Sequence, residues 1–459
     1  MVDKNIKKII KILDSSEYSI DQQLIKNHCI DWRGHYIGNS DLIVFPKTSK
    51  KISEIIKICE ETKTPIVPQG GNTSLVGGSV PRKDKNEIIL NLKNLNKIKK
   101  VNLIDKTITV ESGCILQSLK DNLEKYEMDF PLSMGSKGSC QIGGNIATNA
   151  GGLNYIKYGS IRENILGLEV ITTKGKFISN LNSIKKNNTG TDLKQIFIGS
   201  EGTLGIITAA TFKIYKKPKE KIVLWVGSDE IIKILELYSF FTNTFCDQIS
   251  SFELMNNKSV MITDFKKLKV NTQKNFYCLI ELSNFLELEN YQEIIFDKIK
   301  NIKFDFEDII IAKNENENKV FWNIRESIPI EEKNAGFNIK HDVSIPLENM
   351  GSFIKTTEKE INKFDFAEII NFGHIGDNNL HYNVLIKKKK ISQKLIKDIN
   401  NIVFTNVKKN GGSISAEHGI GQLRKEDLIE FKTSFELEQM KSIKRIFDPF
   451  NIFNPGKVF

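Results

Sequence analysis

A chain of 459 residues is longer than one hydrophobic core usually organises, so two domains are expected, and 40% hydrophobic residues give each the material for its own core. The formal charge of +10 does not make a nucleic-acid surface, because only six of the 66 basic residues are arginine, the fork that reads phosphates and bases, and the lysines are spread through Asn- and Ile-rich segments. Six widely spaced cysteines without a CxxC exclude a disulfide framework, an iron–sulfur cluster and a Cys-based zinc site, and no run reaches the roughly 18 apolar residues of a membrane span.

The first residues read as an amphipathic helix over 1–30, interrupted by charges, and not as a secretory leader. With unpaired cysteines this gives the expectation of a soluble, cytoplasmic protein without integral membrane association or nucleic-acid partner. Leu42–Phe45 reads as a strand. Ser49–Thr62 reads as a helix, since Ile52, Ile55, Ile56 and Cys59 recur at i, i+3, i+4, i+7. The strand Ile66–Val67 then runs into a first glycine loop, PQGGNTSLVGGSVP, where Gly70 and Gly71 are followed at once by Asn72, Thr73 and Ser74. Successive amides in such a loop form an anion nest.

Strands at 87–92 and 106–111 and a helix at 115–126 lead to a second loop. Residues Pro131 to Arg162 hold seven of the chain's 30 glycines. Gly135, Gly138, the pair Gly143 and Gly144 and the pair Gly151 and Gly152 permit positive φ and close backbone approach, while Ser139, Thr148 and Asn149 add short hydrogen-bonding side chains. Ile142, Ile146, Ala147 and Ala150 are too apolar for a solvated linker. Such a backbone wraps a large polar ligand. No GxGxxG follows a strand and no GxxxxGK[ST] occurs, so two separated glycine loops point to a nucleotide cradle of another kind.

Strands at 165–172 and 206–215 complete a first α+β domain, with Lys216–Lys219 as the boundary. Beyond it, strands at 221–226, 276–282, 338–344 and 368–372 and helices at 229–242, 347–363 and 395–409 give a second α+β domain, an antiparallel sheet with helices on one face.

The ionisable chemistry lies in this second half. Of six histidines, His374, His381 and His418 fall in two compact motifs, NFGHIGDNNLHYNV and SAEHGIG. His374 ends a strand, Gly376–Asn379 has turn composition and His381 begins the returning strand, so a hairpin brings both imidazoles to one end of the sheet. Glu417 adds an oxygen ligand. Two His and one carboxylate leave open positions, as a catalytic divalent metal requires. A His pair seven apart is by itself more often two ordinary sheet residues; the scarcity of histidine, the Gly- and Asn-rich turn and the adjacent Glu417 and His418 favour the metal. His341 beside Asp342 reads as structural, because neighbouring strand residues point to opposite faces.

The ordered series PQGGNTSLVGGSVP, PLSMGSKGSCQIGGNIATNAGG, YGSIRENILGLEV and GSEGTLGIIT resembles the FAD-binding domain of the vanillyl-alcohol oxidase type. Within that superfamily the chain is similar to the D-lactate, glycolate and D-2-hydroxyglutarate dehydrogenase group from about Asp31 to Phe459. The resemblance implies an FAD-binding domain over 1–218, a substrate domain with an antiparallel sheet over 219–415, and a segment, 416–459, that returns to the first. It implies FAD held without a covalent bond by Pro68, Gly70, Gly71, Asn72, Thr73, Ser74, Leu132, Gly135, Ser139, Gly143, Gly144, Thr148, Asn149, Gly152, Ile206 and Asn454. It implies metal ligation by His374, His381 and Glu417, with zinc expected and manganese or iron as alternatives, His418 as the base, and substrate contacts at Arg325, Lys340 and Asn383.

The implied activity is oxidation of a D-2-hydroxy acid to the 2-oxo acid, with hydride passing to flavin N5 and electrons leaving to an electron-transfer flavoprotein, a quinone or a soluble carrier. A homodimer is compatible with it. Two other classes are a metal-dependent hydrolase, in which the glycine loops are only structural, and a non-catalytic flavin-binding subunit. One departure matters. Where the D-2-hydroxyglutarate members have a substrate-contacting Thr four residues after the motif Arg, this chain has Pro329, so a strict demand for a second carboxylate is not expected.

Overall fold

The computed structural model describes residues 4–265, 274–286, 288, 290–300, 309–388 and 390–459. The chain divides into two compact units: Met1–Gly151 with Gly159–Lys216 and Glu417–Phe459, and Gly152–Tyr158 with Lys217–Ala416. Among the described residues no helix is long and apolar enough to cross a membrane.

In the first unit, Ile43–Val44, Ile88–Asn91 and Ile66–Gln69 form a parallel core, with Tyr18–Ser19 antiparallel at the edge. The helix Ser49–Thr62 covers this sheet. Its Ile52, Ile55, Ile56 and Cys59 are all buried, Thr48 accepts a hydrogen bond from the Lys51 amide at its start, and Lys63 ends it in the left-handed region. A second, antiparallel sheet runs Ile98–Asn102, Thr107–Glu111, Ile206–Lys213, Ile165–Ile171, Phe177–Asn180. The last segment belongs here by backbone pairing: Ile66 N–H donates to Ile452 O at 2.7 Å, and Asn454 N–H to Ile66 O at 2.8 Å.

The N-terminal helix expected over 1–30 is two helices, Lys4–Ile10 and Gln22–His28, with the strand Tyr18–Ser19 between them; residues 1–3 lie outside the described residues. Polar local chemistry explains the break. Asp14 caps a short turn at Ser15–Glu17, and Asp21 accepts from the Gln23 amide to start the second helix.

The second unit is built on an eight-stranded antiparallel sheet. Its path is Ile309–Ile311, Glu220–Ser228, Phe276–Asn284, Ile249–Asn256, Ala367–His374, Asn379–Ile386, Phe337–Ile339, and Asp342–Ser344 also pairs with Asn379–Ile386. Helices cover both of its faces, not one. Trp225, Leu279 and Met255 pack with Phe321 and Ile324 of the long helix Glu315–Ala335, whereas Phe252, pointing the other way along its strand, meets Phe241 of the helix Ile231–Phe245. Runs such as IVLWV are apolar at every position, so both sheet faces need a cover. The strand expected over 338–344 is split at Lys340 and His341. There the His341 ring leaves the ladder to bond the Tyr382 carbonyl and Asn400 Oδ1, each at 2.9 Å.

Candidate active site

The hairpin Ala367–His374 and Asn379–Ile386 positions the histidines. Asn378 takes φ 71° in the turn, a conformation Asn tolerates, and a Cβ on Gly373 would lie 2.6 Å from Asn379 O, so the tight crossing requires glycine there. Phe372 and His381 are directly opposed in the ladder. The His374 and His381 rings come 5.4 Å apart, nearly perpendicular.

A neighbouring strand supplies what the sequence motifs did not reveal. Glu253, in Ile249–Asn256, stands opposite His374 in the antiparallel pairing and is 1% exposed. Its Oε1 lies 2.7 Å from His374 Nδ1, and its Oε2 accepts from Arg325 Nε at 2.8 Å and lies 2.7 Å from Arg325 Nη2. Burial pushes the Glu253 carboxyl up, but the charges and hydrogen bonds of His374 and Arg325 outweigh it and hold the group below the ordinary carboxylate range. The guanidinium also stacks 4.8 Å above the Phe372 ring.

Asp342 is the register partner of His381, with Oδ1 3.5 Å from His381 Nδ1, and it also accepts from Asn379 Nδ2 at 2.9 Å. The Asp342 carbonyl accepts the Ala416 amide at 3.2 Å. Within this unit His374 thus lies beside His381, and His381 beside the Asp342 carboxylate. Two imidazoles and a carboxylate are a donor set suited to a divalent ion of the zinc type.

Lys340 and Asn383 are joined through a buried residue that the sequence did not single out. Glu332 pairs with Lys340 Nζ through Oε1 and accepts from Asn383 Nδ2 at 2.8 Å through Oε2, while the Lys340 side chain stays 22% exposed. Arg325 and Glu332 both lie on the helix Glu315–Ala335, with Pro329 between them. Pro329 has no N–H to give to the carbonyl of Arg325, four residues back, so that one hydrogen bond is missing beside the arginine while the helix continues to Ala335.

In the first unit the two glycine loops touch. A Cβ on Gly71 would fall 1.9 Å from Ser139 O, one on Gly70 3.3 Å from Gln141 Cβ, and one on Gly143 2.7 Å from Ser112 Cβ. Glycine is therefore required at Gly71 and Gly143 by backbone approach, whereas Gly135, Gly138 and Gly144 face open space. Among the described residues the amides of Gly71, Asn72, Thr73 and Ser74 donate to no protein acceptor. Four consecutive free donors fit an anionic pyrophosphate.

The side chains of this region mostly hold the loops. Asn72 donates to Ile30 O and accepts from Ser79 Oγ, Ser74 Oγ accepts from the Gly78 amide, Thr148 donates to Gly144 O, and Asn149 accepts from the Arg162 amide. Pro68 lies in the strand leading to the first loop, and a Cβ on Gly202 would meet its ring at 2.6 Å. Leu132 and Ile206 are buried core residues. Gly152, at φ 101°, falls in the second unit. Asn454 donates to Gly78 O and Glu201 O, clasping two loops.

Glu201, in the GSEG motif, also escaped the sequence reading. It takes the amides of Ile420 and Gly421, each at 2.8 Å; burial raises its carboxyl while those two amides pull it back.

Residues 40–179 match the family described as FAD binding domain, and residues 217–458 match FAD linked oxidases, C-terminal domain. The chain is 35% identical over 460 residues to a mitochondrial D-2-hydroxyglutarate dehydrogenase of Arabidopsis thaliana, covering 99% of this chain and 81% of that one. It is 36% identical over 462 residues to a putative mitochondrial D-lactate dehydrogenase of Schizosaccharomyces pombe, covering 97% and 87%. Against a D-2-hydroxyglutarate–pyruvate transhydrogenase of Saccharomyces cerevisiae it is 33% identical over 475 residues, covering 97% and 95%.

Among solved structures, p-cresol methylhydroxylase superposes with a TM-score of 0.78 at 16% identity, over 99% of this chain and 96% of that one. Alkyldihydroxyacetonephosphate synthase does so with a TM-score of 0.76 at 16% identity, over 98% and 84%. These two likenesses concern the fold alone, which is of the vanillyl-alcohol oxidase type with two domains. The names of the relatives overturn the cytoplasmic expectation, because the dehydrogenases are named as mitochondrial enzymes. Unpaired cysteines report a reducing medium, which does not single out one compartment.

Proposed function

Because this chain belongs to the FAD-linked D-2-hydroxy acid dehydrogenases, we propose that it oxidises D-2-hydroxy acids of the lactate-to-hydroxyglutarate class, with non-covalent FAD and a divalent ion at His374, His381 and Glu417. Zinc is the expected ion, with manganese or iron as alternatives. FAD when bound supplies the two-electron acceptor, and the ion supplies Lewis acidity toward the hydroxyl and carboxylate oxygens of the acid.

The chain's own residues do the rest. Glu253 engages His374 at Nδ1, which leaves Nε2 as the ligand nitrogen. That commitment is the single observation carrying the metal reading. His418 takes the hydroxyl proton as general base. Arg325, already neutralised in part by Glu253, offers its remaining N–H groups to the substrate carboxylate, and Lys340, paired with Glu332, adds a point charge. Asn383, held by Glu332, orients the acid by hydrogen bonding.

A metal-dependent hydrolase has no use for the free amides of the first glycine loop, and a non-catalytic subunit has none for the histidine cluster. Electrons leave to an electron-transfer flavoprotein, a quinone or a soluble carrier. The test is anaerobic mixing of the purified yellow protein with D- and L-lactate, glycolate and D-2-hydroxyglutarate, together with metal analysis. Bleaching by a D-acid and not by L-lactate is expected; a flavin that none of these acids reduces overturns the proposal.

A further inference from the structure

We propose that Glu253 is a positioning residue that serves two functional groups at once, fixing His374 as a metal ligand with one carboxylate oxygen and the plane of the substrate-binding Arg325 with the other. This rests on the functional reading above and adds to it the means by which metal affinity and substrate affinity are tied together.

The placement follows from the sheet. Glu253 lies on a strand buried on both faces, directly across the ladder from His374, so its carboxylate has no route to water. Its two oxygens are divided between two partners. Oε1 meets His374 Nδ1 at 2.7 Å, while Oε2 takes both Arg325 Nε and Arg325 Nη2, at 2.8 and 2.7 Å. The first bond puts the ring proton on Nδ1 and leaves the lone pair on Nε2, the form that binds a metal. The second holds the guanidinium by one edge. Arg325 Nη1 makes no hydrogen bond to protein among the described residues, so its donors are directed at whatever enters the site. A carboxylate that only neutralised Arg325 would be expected to use both oxygens in a fork. Here one is withheld for the histidine.

A glutamine of the same shape cannot do both tasks. With its oxygen toward Arg325, its amide N–H₂ faces His374 Nδ1, makes that nitrogen the acceptor and moves the ring proton to Nε2, where it blocks the metal. With its oxygen toward His374, the N–H₂ meets the guanidinium donors and Arg325 loses its anchor.

The experiment uses the full-length flavoprotein stripped of metal by chelator. Zinc affinity is measured by competition with a chromophoric chelator, and pyruvate affinity, still without metal, by the flavin difference spectrum. For Glu253→Ala with flavin spectrum and circular dichroism unchanged, the expected result is zinc binding weakened roughly 10–100-fold and pyruvate binding weakened as well, because both oxygens are lost together; Glu253→Gln should lose at least one of the two, whichever its amide orientation sacrifices. His374→Ala should affect zinc alone and Arg325→Lys pyruvate alone, which separates the two arms.

Wild-type affinity for both ligands in a folded Glu253→Ala or Glu253→Gln protein overturns the inference, and so does loss in only one arm in the folded Glu253→Ala protein, since the residue then serves a single group. If that variant does not fold, Glu253→Asp keeps the charge one methylene further back. It is expected to weaken both affinities by a smaller factor, and unchanged affinities there overturn the inference. Wild-type protein that binds neither zinc nor pyruvate sinks the functional reading itself, a result distinct from a wild type that binds both while the variants are indifferent.

Discussion

Asp342 faces His381 across the ladder, with its Oδ1 3.5 Å from His381 Nδ1. A carboxylate beside the second nitrogen of a candidate ligand fixes the ring and raises its basicity. Asp342→Asn keeps the shape and removes the charge. It is expected to lower bound zinc affinity by about tenfold or more while the flavin spectrum persists, and His381→Ala should remove metal and activity together. Metal titration of both variants checks this, and full metal content with full turnover in His381→Ala would show that the ligand set is wrong.

His418 and Glu417 are adjacent in sequence but are predicted to differ in function. His418→Ala should keep metal and substrate binding and slow anaerobic flavin reduction by roughly 10²-fold or more, the usual scale for losing a general base. Stopped-flow absorbance at the flavin band is the measurement. Reduction at the wild-type rate would mean that another group takes the proton.

The first glycine loop tolerates no side chain at Gly71, where a Cβ would sit 1.9 Å from Ser139 O. Gly71→Ala is expected to separate the two loops and lower the ratio of flavin to protein absorbance in the purified variant. Acid precipitation of the wild type should release all the yellow colour to the supernatant, as non-covalent FAD requires. Colour retained in the pellet would contradict that.

Lys457 is fully buried with Glu87, 3.4 Å away, as its partner. Burial lowers its ammonium to about 8, with Glu87 opposing the shift and Arg82 adding to it. The unfolded chain binds the Lys457 proton up to about pH 10.4, so between pH 8 and that value it holds more protons than the folded one. Stability from this group therefore rises with pH across that window, by up to about 1.4 kcal/mol per pH unit, and its cost is fully present below pH 8. In denaturant unfolding of the flavoprotein, wild type minus Lys457→Met should climb between pH 8 and 10. A flat difference would count against it.

Substrate choice tests Pro329. The position lacks a hydroxyl but leaves Arg325 and Lys340 in place, so D-lactate and D-2-hydroxyglutarate should both be oxidised. Comparison of kcat/KM for D-lactate, glycolate, D-malate and D-2-hydroxyglutarate under one acceptor decides it. A preference beyond roughly 10⁴-fold for the dicarboxylate, the scale of a site built around a second polar group, would show that a distal cation is left unpaired without it.

Several parts of this molecule were legible locally. The helix Ser49–Thr62 was read at its observed bounds because its apolar spacing is written within a few turns. The histidine hairpin was legible for the same reason, as Gly376–Asn379 is turn chemistry between two apolar runs. The glycine loops announced themselves by composition, and their series identified the family.

The carboxylates around the site were not legible. Glu253 and Glu332 are two among 56 acidic residues and no spacing sets them apart, while Asp342, next to His341, reads only as structural. Register across the ladder decided Glu253 and Asp342, for it alone puts them opposite His374 and His381. Packing of the helix Glu315–Ala335 decided Glu332, by bringing it to Lys340 and Asn383. Burial then forces each charge to find a partner, so the network is a property of the folded interior. Local pattern was enough for the helix Ser49–Thr62, the histidine hairpin and the family; which acids stand beside the histidines was settled by folding, because pairing between residues over 100 positions apart, as in Glu253 and His374, leaves no local trace.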